Sequence, residues 1–411
     1  MFNLEWLLSP VSVEKFRDEI WQRRSTIIAS HRPHYFDQLF SFQELELVLE
    51  YSQPKPPRIR LASSANGQVE EPIGPDGRLD IDRIRRYFAE GYTIIVNGVE
   101  DFAPRVASLI QAMQECMSFR VEANAYLTPP AAQGFKPHYD THDVIVAHIA
   151  GEKLWRVYGP ETACPLTELT NGDPFRRERL PAQEQLRLRP GDVLYIPRGW
   201  IHEAESVEGS ALHITLGIHV TAGRDLVQAA VDALCRVHAE FRQPLPMGFL
   251  RRPVDVGGLS ELLVRLTDLM RADGSAEEAI GAIEDGLIRR GRTGGDGQLV
   301  ASVDELKHLT LDTRLDRRRH LHARLVATES GVGLQFSQSL LQGPPNYRAA
   351  MEFVLGTDRP FLIKDLPGLD AERQIAFAQS LLRDGLVRLS TDEIKRFAQL
   401  SSGDATMSPL P

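Results

Sequence analysis

Between residues 119 and 220 the chain consists of short apolar segments separated by turns, and this pattern limits the fold more than any other feature. Examples are "FRVEANAYLTPP", "HDVIVAHIAG", "KLWRVYGP" and "ALHITLGIHV". Several strand-length segments at this spacing are typical of an all-β sandwich or barrel. In the flanking regions, hydrophobic residues recur every three to four positions, as in amphipathic helices. The sequence therefore predicts an α+β protein with a central barrel-like region.

The pattern divides the 411 residues into three predicted domains. Residues 1–220 contain N-terminal helices and the β-rich region, and residues 221–298 are helical. The glycine-rich segment "GRTGGDGQ" is a linker by composition. Residues 299–411 read as a hairpin, a helix, a turn with a short helix, and then a helix and a strand. That order is typical of a winged helix.

The helical domain begins with an apolar stripe that needs a partner surface. Leu226, Val231, Leu234 and Phe241 follow helical spacing, and Pro244 is expected to end their helix. These side chains are too apolar to face water together. We therefore expect this region to form a homodimer.

Charge and cysteine content exclude several classes of protein. The net charge of -9 argues against bulk binding to nucleic acid or to an anionic membrane. Three widely separated cysteines do not make a disulfide framework, which favours a reducing, cytoplasmic location. The start of the chain lacks the pattern of a signal peptide, and no apolar run approaches the ~20 residues of a spanning helix. No membrane partner is expected.

The predicted winged helix lacks the basic surface that DNA binding requires. Residues 343–402 contain eight Lys/Arg and eight Asp/Glu. In the candidate recognition helix, Glu372 and Asp384 balance Arg373 and Arg383. Phosphate neutralisation dominates DNA affinity, so we expect no DNA binding and a structural or partner-docking role instead.

The segment "HYDTH" contains three potential metal ligands at alternate positions. On a strand, His138, Asp140 and His142 would point the same way. A fourth candidate, His202, follows the turns of "RPGDVLYIPRGWIH". His138, Asp140 and His202 would form a facial triad, which holds Fe(II) and leaves positions for a bidentate cosubstrate and dioxygen. Replacing Asp140 by His142 would give a three-histidine site closer to zinc chemistry, and the residues alone leave both open.

Other polar residues of this region have less specific interpretations. His148 and His213 are expected to be barrel-lining residues with their hydrogen bonds satisfied, and His219 is assigned no role. Lys153 begins the segment "KLWRVY". Pointed into a barrel it would need an anionic partner, such as the far carboxylate of a metal-bound dicarboxylic acid. A surface lysine at the start of a strand is the alternative.

Several motifs resemble the JmjC-type ribosomal oxygenases, which are cupin-like protein hydroxylases dependent on 2-oxoglutarate and Fe(II). They are "NAYLTPP", "QGFKPHYD", "GEKLWRVY", "PGDVLYIPRGWIHEAE" and "HITLGIH", together with the N-terminal "WQRRSTIIASHRPHYFDQLFS" and the later "PLPMGFL". The similarity covers nearly the whole chain. It implies a double-stranded β-helix, a helical dimerisation module and a C-terminal winged-helix domain.

The resemblance also implies which residues form the site. The family's metal ligands fall on His138, Asp140 and His202, and the lysine that pairs with the 5-carboxylate of 2-oxoglutarate falls on Lys153. Two further family positions face the active site near the cosubstrate and the target side chain; they fall on Asn124 and Tyr126. His142 would then line the site or approach the substrate.

The implied function is hydroxylation of a histidyl or arginyl side chain in a protein, with a ribosomal protein as the favoured substrate. Gly217 in "HITLGIH" replaces a polar residue of the animal members, which leaves the target residue open. A tailoring hydroxylase of a small ribosomally made peptide and a JmjC lysine demethylase are alternatives. A metal-sensing cupin that regulates transcription is the alternative outside enzymes, and it would need a basic helix.

Overall fold

The computed structural model describes most of the chain. The described residues are 2–29, 32–65, 69–70, 72–166, 180, 184–249, 251, 256–271, 275–293, 305–390 and 392–393. They divide into two compact units, residues 1–220 and 221–411. Most of the predicted linker "GRTGGDGQ" lies outside the described residues.

The first unit contains eleven described strands. They are β1 (Thr26–Ile28), β2 (Ile59–Ala62), β3 (Val69–Glu70), β4 (Thr93–Asn97), β5 (Arg120–Thr128), β6 (Asp143–Ala150), β7 (Lys153–Pro160), β8 (Glu184–Leu188), β9 (Val193–Ile196), β10 (Trp200–Ser206) and β11 (Ala211–His219). Its described α-helices are α1 (Leu4–Leu8), α2 (Val13–Lys15), α3 (Phe42–Leu47), α4 (Ile81–Ala89) and α5 (Pro104–Met117). The mixture of helices and sheets confirms the predicted α+β class.

The strands form two antiparallel sheets. The large sheet has the order β1-β9-β6-β11-β5-β4-β2-β3, and the small sheet has the order β10-β7-β8. The β-rich region predicted between residues 119 and 220 supplies the centre of the large sheet and all of the small one.

Alternation along the central strands separates two environments. On β5, Val121, Ala123 and Ala125 join the main hydrophobic core, which also contains Leu7 and Leu109 of the helices. Odd and even positions of a strand face opposite sides of the sheet. The residues between these apolar ones are therefore free to face the small sheet. The same rule applies to β11, where Leu212, Ile214, Leu216 and Ile218 are fully buried in that core.

A second apolar cluster lies between the two sheets. It joins Val144 and Val146 of β6 and Leu194 of β9 to Trp155 and Val157 of β7. This cluster fills one part of the space between the sheets with side chains. The remaining part is lined by polar residues and holds the pocket described below.

Helices begin where a short polar side chain accepts a bond from a free backbone N–H. Asn3 accepts from the amide of Trp6 at 2.8 Å, and Ser41 accepts from that of Glu44 at 3.2 Å. Asp80 caps α4 in the same way. These residues satisfy donors that the first helical turn leaves without partners.

The second unit contains helices followed by two small sheets. Its described elements are α6 (Gly223–Val237), α7 (Val256–Met270), α8 (Ser275–Arg289), β12 (Arg314–Arg317), β13 (Ala323–Thr328), β14 (Gly331–Phe336), β15 (Ser339–Gly343), α9 (Arg348–Gly356), β16 (Phe361–Leu362), α10 (Ala371–Arg383) and β17 (Val387–Leu389). After residue 304, β13 and β14 form the predicted hairpin, and α9, α10 and β17 lie where a helix, a helix and a strand were predicted. Strands β12, β15 and β16 were not predicted.

The first helix of this unit ends earlier than predicted. α6 stops at Val237, because His238 leaves the helical conformation with φ -99° and ψ 108°. Phe241 therefore lies in a separate helical turn, Ala239–Arg242, and Pro244 does not end α6. The apolar stripe predicted to run to Phe241 is one turn shorter. No helix in the described ranges is both long and apolar enough to cross a membrane.

We predict that Tyr195→Phe destabilises the first unit. The Tyr195 hydroxyl donates to Asp143 Oδ1 at 2.7 Å and accepts from the amide of Gln22 at 2.8 Å. Asp143 is fully buried, and burial raises the pKa of its carboxyl. Removing the hydroxyl leaves two polar groups short of a partner, at a cost of about 1–3 kcal/mol.

Urea denaturation followed by the fluorescence of Trp21, whose ring stacks on Tyr195, measures this loss. The control is Tyr51→Phe, because the Tyr51 side chain is 76% exposed. Equal midpoints for wild type and Tyr195→Phe would contradict the prediction.

Candidate active site

A pocket of about 320 Å³ lies between the two sheets of the first unit. The large sheet contributes Asn124, Tyr126 and Thr128 from β5 and His213 and Thr215 from β11. The small sheet contributes residues of β7 and β10. Its remaining lining residues, from both sheets and from the loop before β6, include Arg60, Thr93, Phe135, His138, Asp140, His142, Lys153, Trp155 and His202.

The structure brings His138, Asp140 and His202 together. One ligand atom from each lies within 4.8 Å of the others, and His202 Nε2 is 3.5 Å from Asp140 Oδ2. Among the described residues, this is the one group of at least three histidine, cysteine or carboxylate side chains close enough to hold a metal ion. His142 does not belong to it.

The predicted strand through His138, Asp140 and His142 is not present. His138 forms a single β-bridge with His202, and regular strand structure begins only at Asp143. The expectation that three side chains share one strand face was therefore wrong. The extended loop instead directs His138 and Asp140 to the metal group and His142 to a different part of the pocket wall.

Backbone hydrogen bonds fix the loop against β10. The amide of His138 donates to the carbonyl of His202 at 3.0 Å, and the reverse bond is 2.8 Å. The amide of Gly199 donates to the carbonyl of Asp140 at 2.9 Å. Gly199 has φ +80°, and a Cβ there would lie 2.1 Å from the carbonyl of Thr162, so the turn before His202 requires glycine.

Both histidines present the same ring nitrogen to the group. His138 Nδ1 lies 2.8 Å from the carbonyl of Lys136, and His202 Nδ1 lies 3.0 Å from that of Trp200. A carbonyl only accepts, so each Nδ1 carries the proton and each Nε2 keeps a lone pair. This is the usual outer hydrogen bond of a metal-binding histidine.

The charge states also suit a divalent cation. Burial lowers the pKa of His202 to about 4, so its ring is neutral near pH 7. Burial favours the neutral form of Asp140, but His138 and the other nearby histidines outweigh it and hold the pKa of that carboxyl below its usual value. The donor set is two imidazole nitrogens and one carboxylate, which fits Fe(II).

Lys153 is a buried cation at the far side of the pocket. Its side chain is 3% exposed, and Nζ donates to Thr128 Oγ1 at 2.7 Å. Thr93 Oγ1 donates to the same oxygen at 3.1 Å. Burial lowers the pKa of Lys153 to about 7, and the described residues give it no carboxylate partner. The surface-lysine alternative is therefore excluded, and the ammonium lacks a counter-anion.

Asn124 and Tyr126 both line the pocket. Asn124 Oδ1 accepts from the amide of Gly98 at 3.1 Å, which fixes its amide group. The ring of Tyr126 stacks on His213 with centroids 4.8 Å apart. Burial first, and then the charge of Asp140, raise the pKa of Tyr126 to about 12, so the phenol stays protonated.

His148 and His213 were expected to line the barrel and not to bind the metal, and neither belongs to the metal-binding group of the described residues. His148 Nε2 lies 2.9 Å from the carbonyl of Gly151, but Nδ1 of both rings is buried without a hydrogen-bond partner. Burial lowers the pKa of both, that of His148 to about 4. Two neutral rings therefore lie near the Lys153 ammonium, whose charge adds to this lowering.

Sequence reasoning missed several residues of the pocket. Thr128 accepts the bond from Lys153, yet it stands in the quoted motif "NAYLTPP" two positions after Tyr126. The alternation of Asn124, Tyr126 and Thr128 was the available signal. Arg60 comes from a distant strand, and no local pattern marks it.

Comparison with known proteins identifies the domain. Residues 99–226 match the family model described as JmjC domain. A bifunctional lysine-specific demethylase and histidyl-hydroxylase NO66 of Drosophila mojavensis is 32% identical over 253 residues, which are 59% of this chain and 28% of that protein. Ribosomal oxygenase 1 of Rattus norvegicus is 28% identical over 94% of this chain and 72% of its own length.

Solved structures of low sequence identity share the fold. The ribosomal oxygenase YcfD of Escherichia coli superposes with a TM-score of 0.57 at 20% identity, over 92% of this chain and 98% of that one. A second structure of YcfD, in complex with cobalt and 2-oxoglutarate, gives a TM-score of 0.55 at 19% identity, over 93% and 99%.

Residues 99–226 are therefore similar in sequence to the JmjC domain, and the chain shares the fold of the ribosomal oxygenase YcfD. It is related to the ribosomal oxygenases, which confirms the resemblance drawn from the sequence. It spans between about a quarter and three quarters of the curated relatives compared here.

We predict that His202→Ala lowers affinity for Co(II), a stable substitute for Fe(II), by more than about 100-fold. Loss of an outer partner alone costs 10- to 100-fold, and here a ligand is lost. Competition with a coloured chelator measures the affinity. The matched control is His34→Ala, an exposed histidine of the same unit. If His142→Ala removes the metal as thoroughly as Asp140→Ala, the ligand set is wrong.

We predict that Lys153→Ala weakens 2-oxoglutarate binding by roughly 2–4 kcal/mol, or about 30- to 1000-fold, because a buried charge-assisted pair is lost. Calorimetric titration of the metal-loaded protein measures this. A pH series provides the internal control. The dicarboxylate binds the protonated form of Lys153. Above pH 7 this amine is mostly neutral in the free protein, so ligand binding requires Lys153 to take up a proton. The affinity of the wild type should therefore fall up to about tenfold per pH unit. An equal pH slope in Lys153→Ala would contradict the assignment.

Proposed function

We propose that this chain is a 2-oxoglutarate- and Fe(II)-dependent oxygenase that hydroxylates a histidyl side chain of a ribosomal protein. One observation carries the proposal: the pocket pairs a two-histidine, one-carboxylate group with a buried lysine that lacks an anion. A dicarboxylate that chelates a metal at one end and meets an ammonium at the other fits both features.

The residues have separate tasks in this proposal. His138, Asp140 and His202 hold Fe(II), and Lys153 binds the 5-carboxylate of 2-oxoglutarate. When bound, the iron and cosubstrate supply dioxygen activation for inserting oxygen into a C–H bond. The 5-carboxylate neutralises the charge of the Lys153 ammonium when 2-oxoglutarate binds, and this contact fixes the orientation of the cosubstrate. Thr128 holds Lys153 Nζ in place.

The remaining walls hold the target side chain. Asn124 and Tyr126 lie on the same face of β5 as Thr128 and extend from the Lys153 end of the pocket toward the opposite end of that strand. Tyr126 stays protonated and can donate a hydrogen bond. These residues position the target and exclude bulk water.

The names of the relatives favour a histidyl target over an arginyl one. The Drosophila relative is a histidyl-hydroxylase, and the rat relative is a ribosomal oxygenase. Arg60 in the pocket wall also disfavours a cationic guanidinium target, since like charges repel. A peptide-tailoring hydroxylase uses the same pocket and differs only in its substrate.

The test is in vitro modification of ribosomal proteins from cells that lack this chain. Purified protein is incubated with Fe(II), 2-oxoglutarate and dioxygen, and peptides are examined by mass spectrometry for one added oxygen on histidine. His202→Ala is the matched inactive control. Oxygen added only to arginine would correct the target residue. Absence of any oxygen-containing product would refute the proposal.

Lysine demethylation is the second candidate, because the Drosophila relative is also named a lysine-specific demethylase. Hydroxylation of an N-methyl group releases formaldehyde. Formaldehyde release from N-methyl-lysine peptides, without modified histidine, would favour this candidate.

We further propose the domain limits 1–220, 221–298 and 299–411, with homodimerisation through the second region. Helix α7 supports the dimer, because none of its side chains is buried although it contains Val256, Leu263 and Val264, each more than 60% exposed. Three free cysteines are consistent with a cytoplasmic location.

Leu263→Glu/Val264→Glu is predicted to produce a monomer. Burial of each side chain contributes about 1.5–3 kcal/mol, so replacing two raises the dissociation constant by more than about 100-fold. Sedimentation velocity at micromolar concentration measures the state. Leu340→Glu, at an exposed leucine elsewhere in the unit, is the control. A monomeric wild type would remove the dimer from the proposal.

We also propose that the C-terminal region, winged-helix-like in its element order, does not bind DNA. Residues 299–411 contain fourteen Lys/Arg and fourteen Asp/Glu, and α10 buries Phe377, Leu381 and Leu382 in the unit's own core. Anisotropy titration of the full chain with a mixed-sequence duplex at low salt should show no micromolar binding. Binding that weakens steeply with salt would instead support the regulator alternative.

A further inference from the structure

The His142 ring packs directly against Gly217, and we call this contact the seat of the ring. A Cβ at position 217 would lie 2.8 Å from Cδ2 and 2.9 Å from Nε2 of His142. Such distances are far inside van der Waals contact. Gly217 lies within the extended strand β11 and is not among the described glycines with positive φ, so its backbone does not require glycine. The absent side chain instead makes room for the imidazole.

A second histidine, His219, packs against the face of this ring. His142 stacks on His219 with centroids 4.8 Å apart and an interplanar angle of 29°. His219 Nε2 lies 3.2 Å from Glu122 Oε2, and Glu122 pairs with Arg120. Gly217 is the register partner of Glu122, so the whole arrangement is built on two adjacent strands.

The ring has polar atoms to offer the pocket. His142 lines the pocket close to Asp140 but lies outside the metal-binding group. Neither ring nitrogen forms a hydrogen bond with a residue that the structure describes. Its Cδ2–Nε2 edge faces Gly217, which leaves Nδ1 on the opposite edge. A ring seated and stacked this way, with no internal hydrogen bond, is suited to bond a ligand.

We propose that His142 is a specificity-determining residue that hydrogen-bonds the polar target side chain, with Gly217 as its seat and His219 and Glu122 as positioning residues. This inference rests on the proposed function. A target carrying ring or amide nitrogen can exchange one hydrogen bond with the imidazole. An apolar target would leave both ring nitrogens unsatisfied, which costs affinity.

A double-mutant cycle tests the seat. The probe is acid-extracted ribosomal protein from cells that lack this chain, and succinate formation is the readout. Gly217→Ala should push the ring and lower kcat/KM for the protein about 10- to 100-fold, as expected for a misplaced contact. In the His142→Ala background the same methyl meets no ring, so the further loss should be less than about twofold. Gly286→Ala, where a Cβ meets nothing within 4 Å, is the control.

The positioning role of His219 is tested through its stacking contact with His142. His219→Phe keeps the stack, whereas His219→Ala removes it. The alanine variant should raise KM for the ribosomal protein more than the phenylalanine variant does. KM for 2-oxoglutarate should not follow this order, because Lys153 binds the cosubstrate elsewhere. A merely structural role would change both constants together and would overturn the positioning assignment.

A structural readout separates this inference from the proposed function. In the Zn(II)-loaded full chain, histidine-ring ¹⁵N spectra should show shifts of the His142 and His219 signals in Gly217→Ala. A loss from Gly217→Ala that is equal in both His142 backgrounds overturns the inference. If ribosomal protein does not stimulate the wild type, the proposed function fails and the spectra alone decide. In that case, unshifted ring signals would overturn the inference, and shifted signals would support the contact between His142 and position 217.

Discussion

The two-residue period of the central strands is the constraint on which the site depends. Strands β5 and β11 bury apolar side chains in the main core on one face of the large sheet, and this burial stabilises the sheet. The other face is thereby free to hold polar residues such as Asn124, Tyr126 and His213. A one-residue slip would exchange the two sets, so the hydrophobic core fixes the register of the pocket.

The pocket is lined by more positively than negatively charged side chains. Lys153 and Arg60 line it with one carboxylate, that of Asp140. Neutral His148 and His202 add no charge near pH 7. The free pocket therefore carries an excess of positive charge that an anionic ligand relieves. Such an excess favours an anionic ligand over a neutral or cationic one.

The sequence alone predicted the α+β class, the β-rich region and the candidate ligands His138, Asp140 and His202, and the family resemblance favoured Asp140 over His142. Alternation and turn residues are local signals, which is why they sufficed. The strand through His138 and Asp140 was wrong because a loop held by distant backbone bonds to His202 and Gly199 mimics the period of a strand. The contact of His142 with Gly217 was likewise not predictable, because it joins residues 75 positions apart that no local pattern relates.

The backbone pair between His138 and His202 has a thermodynamic consequence. Two hydrogen bonds set the spacing of the two histidine-bearing segments in the polypeptide itself. Ion binding then needs to order few dihedral angles, so little of its free energy is spent on assembling the site. More of the free energy of ion binding is then available for affinity instead of for ordering the chain.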